Sequence, residues 1–165
     1  MNTALNTTLN TTLNTTLNTT MKTPLLNRIF ATDESLSSLI LRIPIGVIFI
    51  AHGGQKLFGL FGGYGLEGTA KWMASIGLEP GYLMALMAGS AELFGGLALI
   101  LGLLVRPAAL VLAVTMLVAI FSVHFSNGLF ISNKGYEFAL ALFAASAALV
   151  FSGAGRFSLD GIISK

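Results

Sequence analysis

Residues 81–105 read GYLMALMAGSAELFGGLALILGLLV, and a single charge, Glu92, interrupts them. A helix needs roughly 20 apolar residues to cross the hydrocarbon core of a bilayer, so this run is long enough to span. It lacks the period-two alternation of a barrel strand, which leaves a helix as the structure that satisfies its own backbone in lipid. Three other stretches share this character: about 37–58, broken by Arg42 and Pro44; 107–127, following Arg106; and 136–151. Pro107 suits the first turn of a helix. The expected fold is all-α, a polytopic transmembrane four-helix bundle.

The connections refine this reading. Gly102 to Pro107 leaves room only for a tight turn, so the second and third spans form an antiparallel hairpin. Ser126 to Gly135 joins the third and fourth. The longer link, Gly59 to Pro80, places Leu66, Ala70, Met73 and Ile76 roughly on one side, with Glu67, Lys71 and Ser75 elsewhere. Trp72 suits the headgroup region. A short interfacial helix is expected between the first and second spans.

Composition agrees. The 165 residues are 55% hydrophobic and only 10% charged, with a mean hydropathy of +0.83. Soluble domains carry about 25% charged residues, so most of this surface expects lipid as its solvent. A net charge of +2, dispersed along the chain, excludes a nucleic-acid binder. There is no cysteine, which removes thiolate nucleophiles, disulfide exchange, cysteine-bound zinc and iron–sulfur clusters. Redox chemistry would have to run on a bound cofactor, a quinone or a partner chain.

Residues 1–20 repeat Leu-Asn-Thr-Thr, with Leu5, Leu9, Leu13 and Leu17 in register. They read as a low-complexity, disordered extension. Without a cationic start or continuous apolar core they do not form a signal peptide, and Met21 reads as a usable start. Residues 21–36 are expected as a cytoplasmic lead-in, 37–155 as the membrane domain and 156–165 as a cytoplasmic tail. Lys22, Arg28, Arg106, Arg156 and Lys165 fall on one side, against Lys56, Lys71 and Lys134 on the other. The excess of Lys and Arg on the first side places both termini in the cytoplasm.

Charges at bilayer depth cost at least ~2.5–3.5 kcal/mol near a helix centre, so they are the first candidates for function. At 100° per residue, Arg42, Phe49, Gly53 and Lys56 share one side of the first helix, with His52 at its edge. Glu92 shares a face with Ala85, Ala88, Gly89, Gly95 and Gly96, which points it at protein. Arg106 and His124 are five full turns apart and share an azimuth. Glu137 opens the fourth helix, with Ala141, Ala144, Ala145 and Ala148 beneath it. Depth then groups His52, Gln55, Lys56, His124 and Glu137 in the outer half of the membrane with Glu92 below them, and of these His52, Glu92 and His124 are the candidate catalytic, proton-exchanging set. Gln55, Lys56 and Glu137 are candidate substrate-binding residues; Arg42 and Arg106 are structural or lipid-anchoring; no metal site is expected. The plainer alternatives are that Lys56 and Glu137 snorkel to water, that Glu92 is a hydrogen-bonded packing residue or pairs with Arg42, and that each histidine only bonds between helices.

The run Leu41-Arg42-Ile43-Pro44-Ile45-Gly46, then His52-Gly53-Gly54-Gln55-Lys56, resembles the DoxX family pattern. So do Ala91-Glu92-Leu93-Phe94-Gly95-Gly96, Arg106, His124 and Gly135-Tyr136-Glu137 in that order. The close, Gly153-Ala154-Gly155-Arg156-Phe157-Ser158-Leu159-Asp160, is similar to the family ending, with Ala154 where proline is common. The resemblance covers about Leu41 to Ile162. It implies a four-helix protein of a bacterial plasma membrane. Family members named for thiosulfate:quinone oxidoreductase pass electrons to quinone, and others are linked to oxidant defence or to assembly of membrane proteins. The leading expectation is a membrane subunit of a quinone-linked or oxidative-stress redox system, acting with a redox partner protein in a homo- or hetero-oligomer. Quinone is the cofactor this chemistry suits, and a haem b between His52 and His124 is a sharper variant. The alternatives are a non-enzymatic scaffold or chaperone, and a small transporter.

Overall fold

The computed structural model describes residues 35–163. The extension at 1–20 and nearly all of the lead-in at 21–36 lie outside the described residues. Those described form helices joined by turns, with no strand among them.

Helix α1 spans Leu36–Phe58. The Ser35 hydroxyl caps it by accepting from the Ser37 N–H at 3.1 Å, and Gly59 ends it in the left-handed region at φ 70°. Helix α2, Gly65–Ser75, and helix α3, Gly81–Leu101, follow. Helix α4 is continuous over Val105–Asn127, α-helical to Ala119, then a wider π turn over Ile120–His124 and a 3₁₀ turn to Asn127. Helix α5 is Glu137–Ser152, and the short α6 is Leu159–Ile163. Three of these, α1, α3 and α4, are long and apolar enough to cross a membrane; α5, with 16 residues, is apolar but shorter.

Helix α1 packs on α3, α3 on α4, α4 on α5, and α5 returns to α1, while α2 lies against α3 and α1. The α1–α3 contact is antiparallel and backbone-close. A Cβ on Gly53 would lie 2.8 Å from the Gly89 carbonyl oxygen, and one on Gly46 would lie 2.8 Å from that of Gly96. Without water between helices, such small-residue contacts are what hold them together. Ile45, Phe49, Leu99, Leu112, Met116 and Leu149 fill the core. Outward, Val47, Phe94, Leu110, Val114 and Phe151 are exposed, an apolar surface that only lipid or another chain would cover.

Two boundaries differ from the sequence reading. The second span ends at Leu101 and not at 105, because Gly102 takes φ 66° and its N–H and that of Leu103 return to the Leu99 and Ala98 carbonyls. The third begins at Val105, two residues before Pro107, because a carboxylate from the far end of the chain caps it. Asp160 Oδ1 accepts from the Leu104 N–H at 2.7 Å, and Oδ2 from the Val105 N–H at 3.0 Å. The stretch after α5 is thereby folded onto the bundle: the Asp160 N–H donates to the Gly102 carbonyl, and the Arg156 N–H to that of Ser35. We call this the terminal end of the bundle.

Candidate functional site

Among the described residues, two ionic centres are buried in the bundle. The first, at the terminal end, is Arg42, which is wholly inaccessible. Its Nη1 donates to the Leu99 and Ile100 carbonyls, both at 3.0 Å. Nη2 donates to the carbonyls of Phe157 at 2.5 Å and Arg156 at 3.3 Å. A buried charge is tolerated when it is hydrogen-bonded and compensated. Here four carbonyls and the nearby Asp160 charge do this. Arg42 is thus committed to joining α1, the end of α3 and the chain's closing segment, and it does not meet lipid or pair with Glu92. Arg106 Nη1 likewise donates to the Val150 carbonyl at 2.7 Å, tying α4 to α5.

The second centre lies midway along α3. Lys56 Nζ donates to Glu92 Oε2 at 2.6 Å, and the Glu92 side chain is only 4% exposed against 23% for Lys56. Lys56 stands near the end of α1, yet its long stem runs back across α3. Gly89 leaves the path clear, since a Cβ there would lie 3.3 Å from Lys56 Cβ and 2.7 Å from Leu57. The Thr69 hydroxyl on α2 donates to the Lys56 carbonyl at 3.3 Å and steadies this end of α1.

The pair faces a cavity of about 110 Å³. Helix α1 lines it with His52 and Lys56, α3 with Glu92, α4 with His124, and α5 with apolar groups including Phe138 and Leu142. His124 Nδ1 lies 2.7 Å from the Lys134 carbonyl oxygen. A carbonyl only accepts, so Nδ1 carries the hydrogen and Nε2 is the accepting nitrogen of the neutral ring. The His52 ring packs tilted against Phe138, with centroids 6.2 Å apart.

Four of the candidates, His52, Lys56, Glu92 and His124, therefore share one cavity. Gln55 and Glu137 do not line it. Gln55 turns to the other side of Lys56 and donates to the Phe61 carbonyl at 3.3 Å. Glu137 Oε1 accepts from the Ile131 N–H at 2.5 Å and caps the loop before its own helix. The π turn, with one residue more per turn than an α-helix, breaks the shared azimuth expected for Arg106 and His124. An apolar cavity of about 150 Å³ admits a benzene ring. The volume here is smaller than that, and falls short of a haem macrocycle between His52 and His124.

Comparison with known proteins places this arrangement. The DoxX family profile matches residues 37–125, which include all four cavity side chains and Arg42. The chain belongs to the DoxX family. It is 32% identical over 130 residues to the "Putative oxidoreductase CatD" of Bacillus subtilis, covering 79% of this chain and 89% of that one. An uncharacterized protein of Haemophilus influenzae is 37% identical over 127 residues, 73% of this chain and 85% of that one. The "Inner membrane protein YqjF" of Escherichia coli is 29% identical over 132 residues, 80% of this chain and 95% of that one. No solved structure matches. With three helices of spanning length and an inner membrane protein among its relatives, this DoxX chain is a membrane protein.

Sequence reasoning missed Asp160 as a structural residue of this DoxX chain. The signal was present, since an acid placed just after Gly153-Ala154-Gly155 could fold back onto a helix start. The apolar walls from Met116 and Phe138 carried no such mark.

Proposed function

We propose that this DoxX-family protein is the membrane component of a quinone-linked or oxidative-stress redox system, and that the Lys56–Glu92 cavity is where it takes up and releases protons. One observation carries the reading. A carboxylate midway along a membrane-length helix is paired with a lysine and opens onto a cavity shared with two histidines. A pair kept only for packing would be closed over by neighbouring side chains, as Arg42 is. The printed name of the Bacillus subtilis relative, a putative oxidoreductase, points the same way.

In this reading Glu92 holds the proton that is exchanged, and Lys56 stabilises it when ionised. His124, with Nδ1 anchored on the Lys134 carbonyl, presents Nε2 as a base, and His52 completes the relay across α1. A quinone would supply the two-electron chemistry. Electrons come from a partner protein, because a chain without cysteine holds no thiol relay of its own.

We take α5 as a fourth span. Its 16 residues fall short of the roughly 20 usual for a crossing, a mismatch that local thinning and flanking Tyr136 accommodate. Helix α2, with Trp72 41% exposed, lies along the interface. The Lys and Arg distribution puts both termini in the cytoplasm.

The test is complementation of a strain lacking the gene and challenged with a redox-cycling quinone, with the amount of chain in the membrane fraction measured in parallel. His124→Ala and Glu92→Gln are expected to lose protection while wild-type amounts accumulate. Full protection by both variants would refute the proton-site reading.

A further inference from the structure

Lys56 lines two spaces. Beyond it, on the side away from His52 and His124, lies a second and larger pocket of about 270 Å³. Its walls are Gln55 and Lys56 of α1, the Gly62–Tyr64 turn, and Thr69 and Trp72 of α2. The lining is unlike that of the inner cavity. Lys56 is its one charged residue, and no acid takes part. Gln55, Thr69, Tyr64 and Trp72 bring hydrogen-bonding groups, and two of these are aromatic. The turn itself is built to leave space, with Phe61 at φ 52° and Gly62 at φ 77° carrying the chain sharply away from the end of α1.

We propose that this pocket binds a small organic anion, a carboxylate on a flat apolar body, with its charge on Lys56 and its body against Trp72 and Tyr64. The chemistry follows from the lining. An ammonium has three N–H donors, and Glu92 accepts one of them. Its flexible four-carbon stem allows the head to turn between two acceptors. The Lys56 side chain is 23% exposed and that of Glu92 4%, and Glu92 does not line this pocket, so an anion entering it meets the lysine first. A cation with aromatic walls and no competing acid selects an anion over a cation, and a flat body over a compact one. Glu92 and the bound anion then compete for a single ammonium. The site is independent of the redox reading, since it requires no electron or proton transfer.

The chain's single tryptophan is Trp72, so fluorescence excited selectively at tryptophan reports from a wall of this pocket. Full-length protein in mild detergent is titrated with benzoate, with benzamide as the neutral isostere and acetate as the anion without a body. Benzoate is expected to change the Trp72 emission saturably, while benzamide and acetate bind at least tenfold more weakly. Lys56→Gln alone leaves a sealed carboxylate unpaired and can fail to fold, so the double variant Lys56→Gln/Glu92→Gln is used, which removes both charges together. It is expected to lose benzoate affinity at least tenfold. Glu92→Gln alone is expected to tighten it, because the rival acceptor has lost its charge. An unsaturable response, equal affinity for benzamide, or the same affinity in the double variant as in wild type would overturn the proposal. So would weaker binding in Glu92→Gln, which a merely structural ion pair predicts.

Discussion

Arg42 and the Lys56–Glu92 pair are both charges buried in one small helical bundle, and they are buried in opposite ways. Arg42 is closed in on every side: four carbonyls, two from the end of α3 and two from the segment after α5, accept from its Nη groups, and that segment folds over it. Both of its Nη groups are committed to the fold, while Nε is buried without a partner among the described residues. Lys56 and Glu92 have each other, a cavity on one side and a pocket on the other. They retain donors and acceptors that the fold does not consume. Buried charge serves architecture where backbone carbonyls enclose it, and is left for chemistry where a void adjoins it.

The largest effect that tests this contrast is at the terminal end. Arg42→Met should leave four carbonyls without a donor and cost about 3–5 kcal/mol, lowering the detergent melting temperature by roughly 10 °C or more. Arg42→Lys should rescue little, because one ammonium cannot bridge the carbonyls of the two segments as the planar guanidinium does. Next comes Lys56→Gln, expected to cost about 2 kcal/mol by stranding a sealed carboxylate, with Lys56→Gln/Glu92→Gln recovering most of it in a melting-based double-mutant cycle. Asp160→Asn should cost about 1–2 kcal/mol, since one of its two accepting oxygens becomes a donor facing the Leu104 or Val105 N–H. Glu92→Gln should cost least, under about 1 kcal/mol, because Lys56 can still donate to the amide oxygen or reach water. A larger loss at Glu92 than at Asp160 would erase the contrast.

Much of this was legible in the sequence. Continuous apolar runs located the long helices. Period arithmetic on single helices placed Arg42, Phe49 and Gly53 on the buried side of α1, and Gly89, Glu92, Gly95 and Gly96 on that of α3. What escaped depends on how helices meet. Whether Glu92 pairs with Lys56 or Arg42 is set by the offset between α1 and α3, which the Gly46–Gly96 and Gly53–Gly89 contacts define and no single-helix period encodes. Gln55 is adjacent to Lys56 in sequence but about 100° round the helix, and so lines only the outer pocket while Lys56 lines both. Glu137 was grouped by depth with the histidines, yet its carboxylate finds a nearer partner in the loop N–H of Ile131. The capping role of Asp160 required knowing that the chain's end returns to the α3–α4 turn. The π turn that re-aims His124 carries no residue signature in Ile120–His124.

The most direct test applies one chemical change, carboxylate to amide, at both centres. Asp160→Asn and Glu92→Gln are purified for thermal melting and, in parallel, assayed for protection against quinone challenge per molecule of chain in the membrane. The account predicts that Asp160→Asn melts lower yet keeps its activity per molecule, whereas Glu92→Gln melts like wild type and loses its activity. Full activity in Glu92→Gln, or a melting loss there matching that of Asp160→Asn, would contradict it.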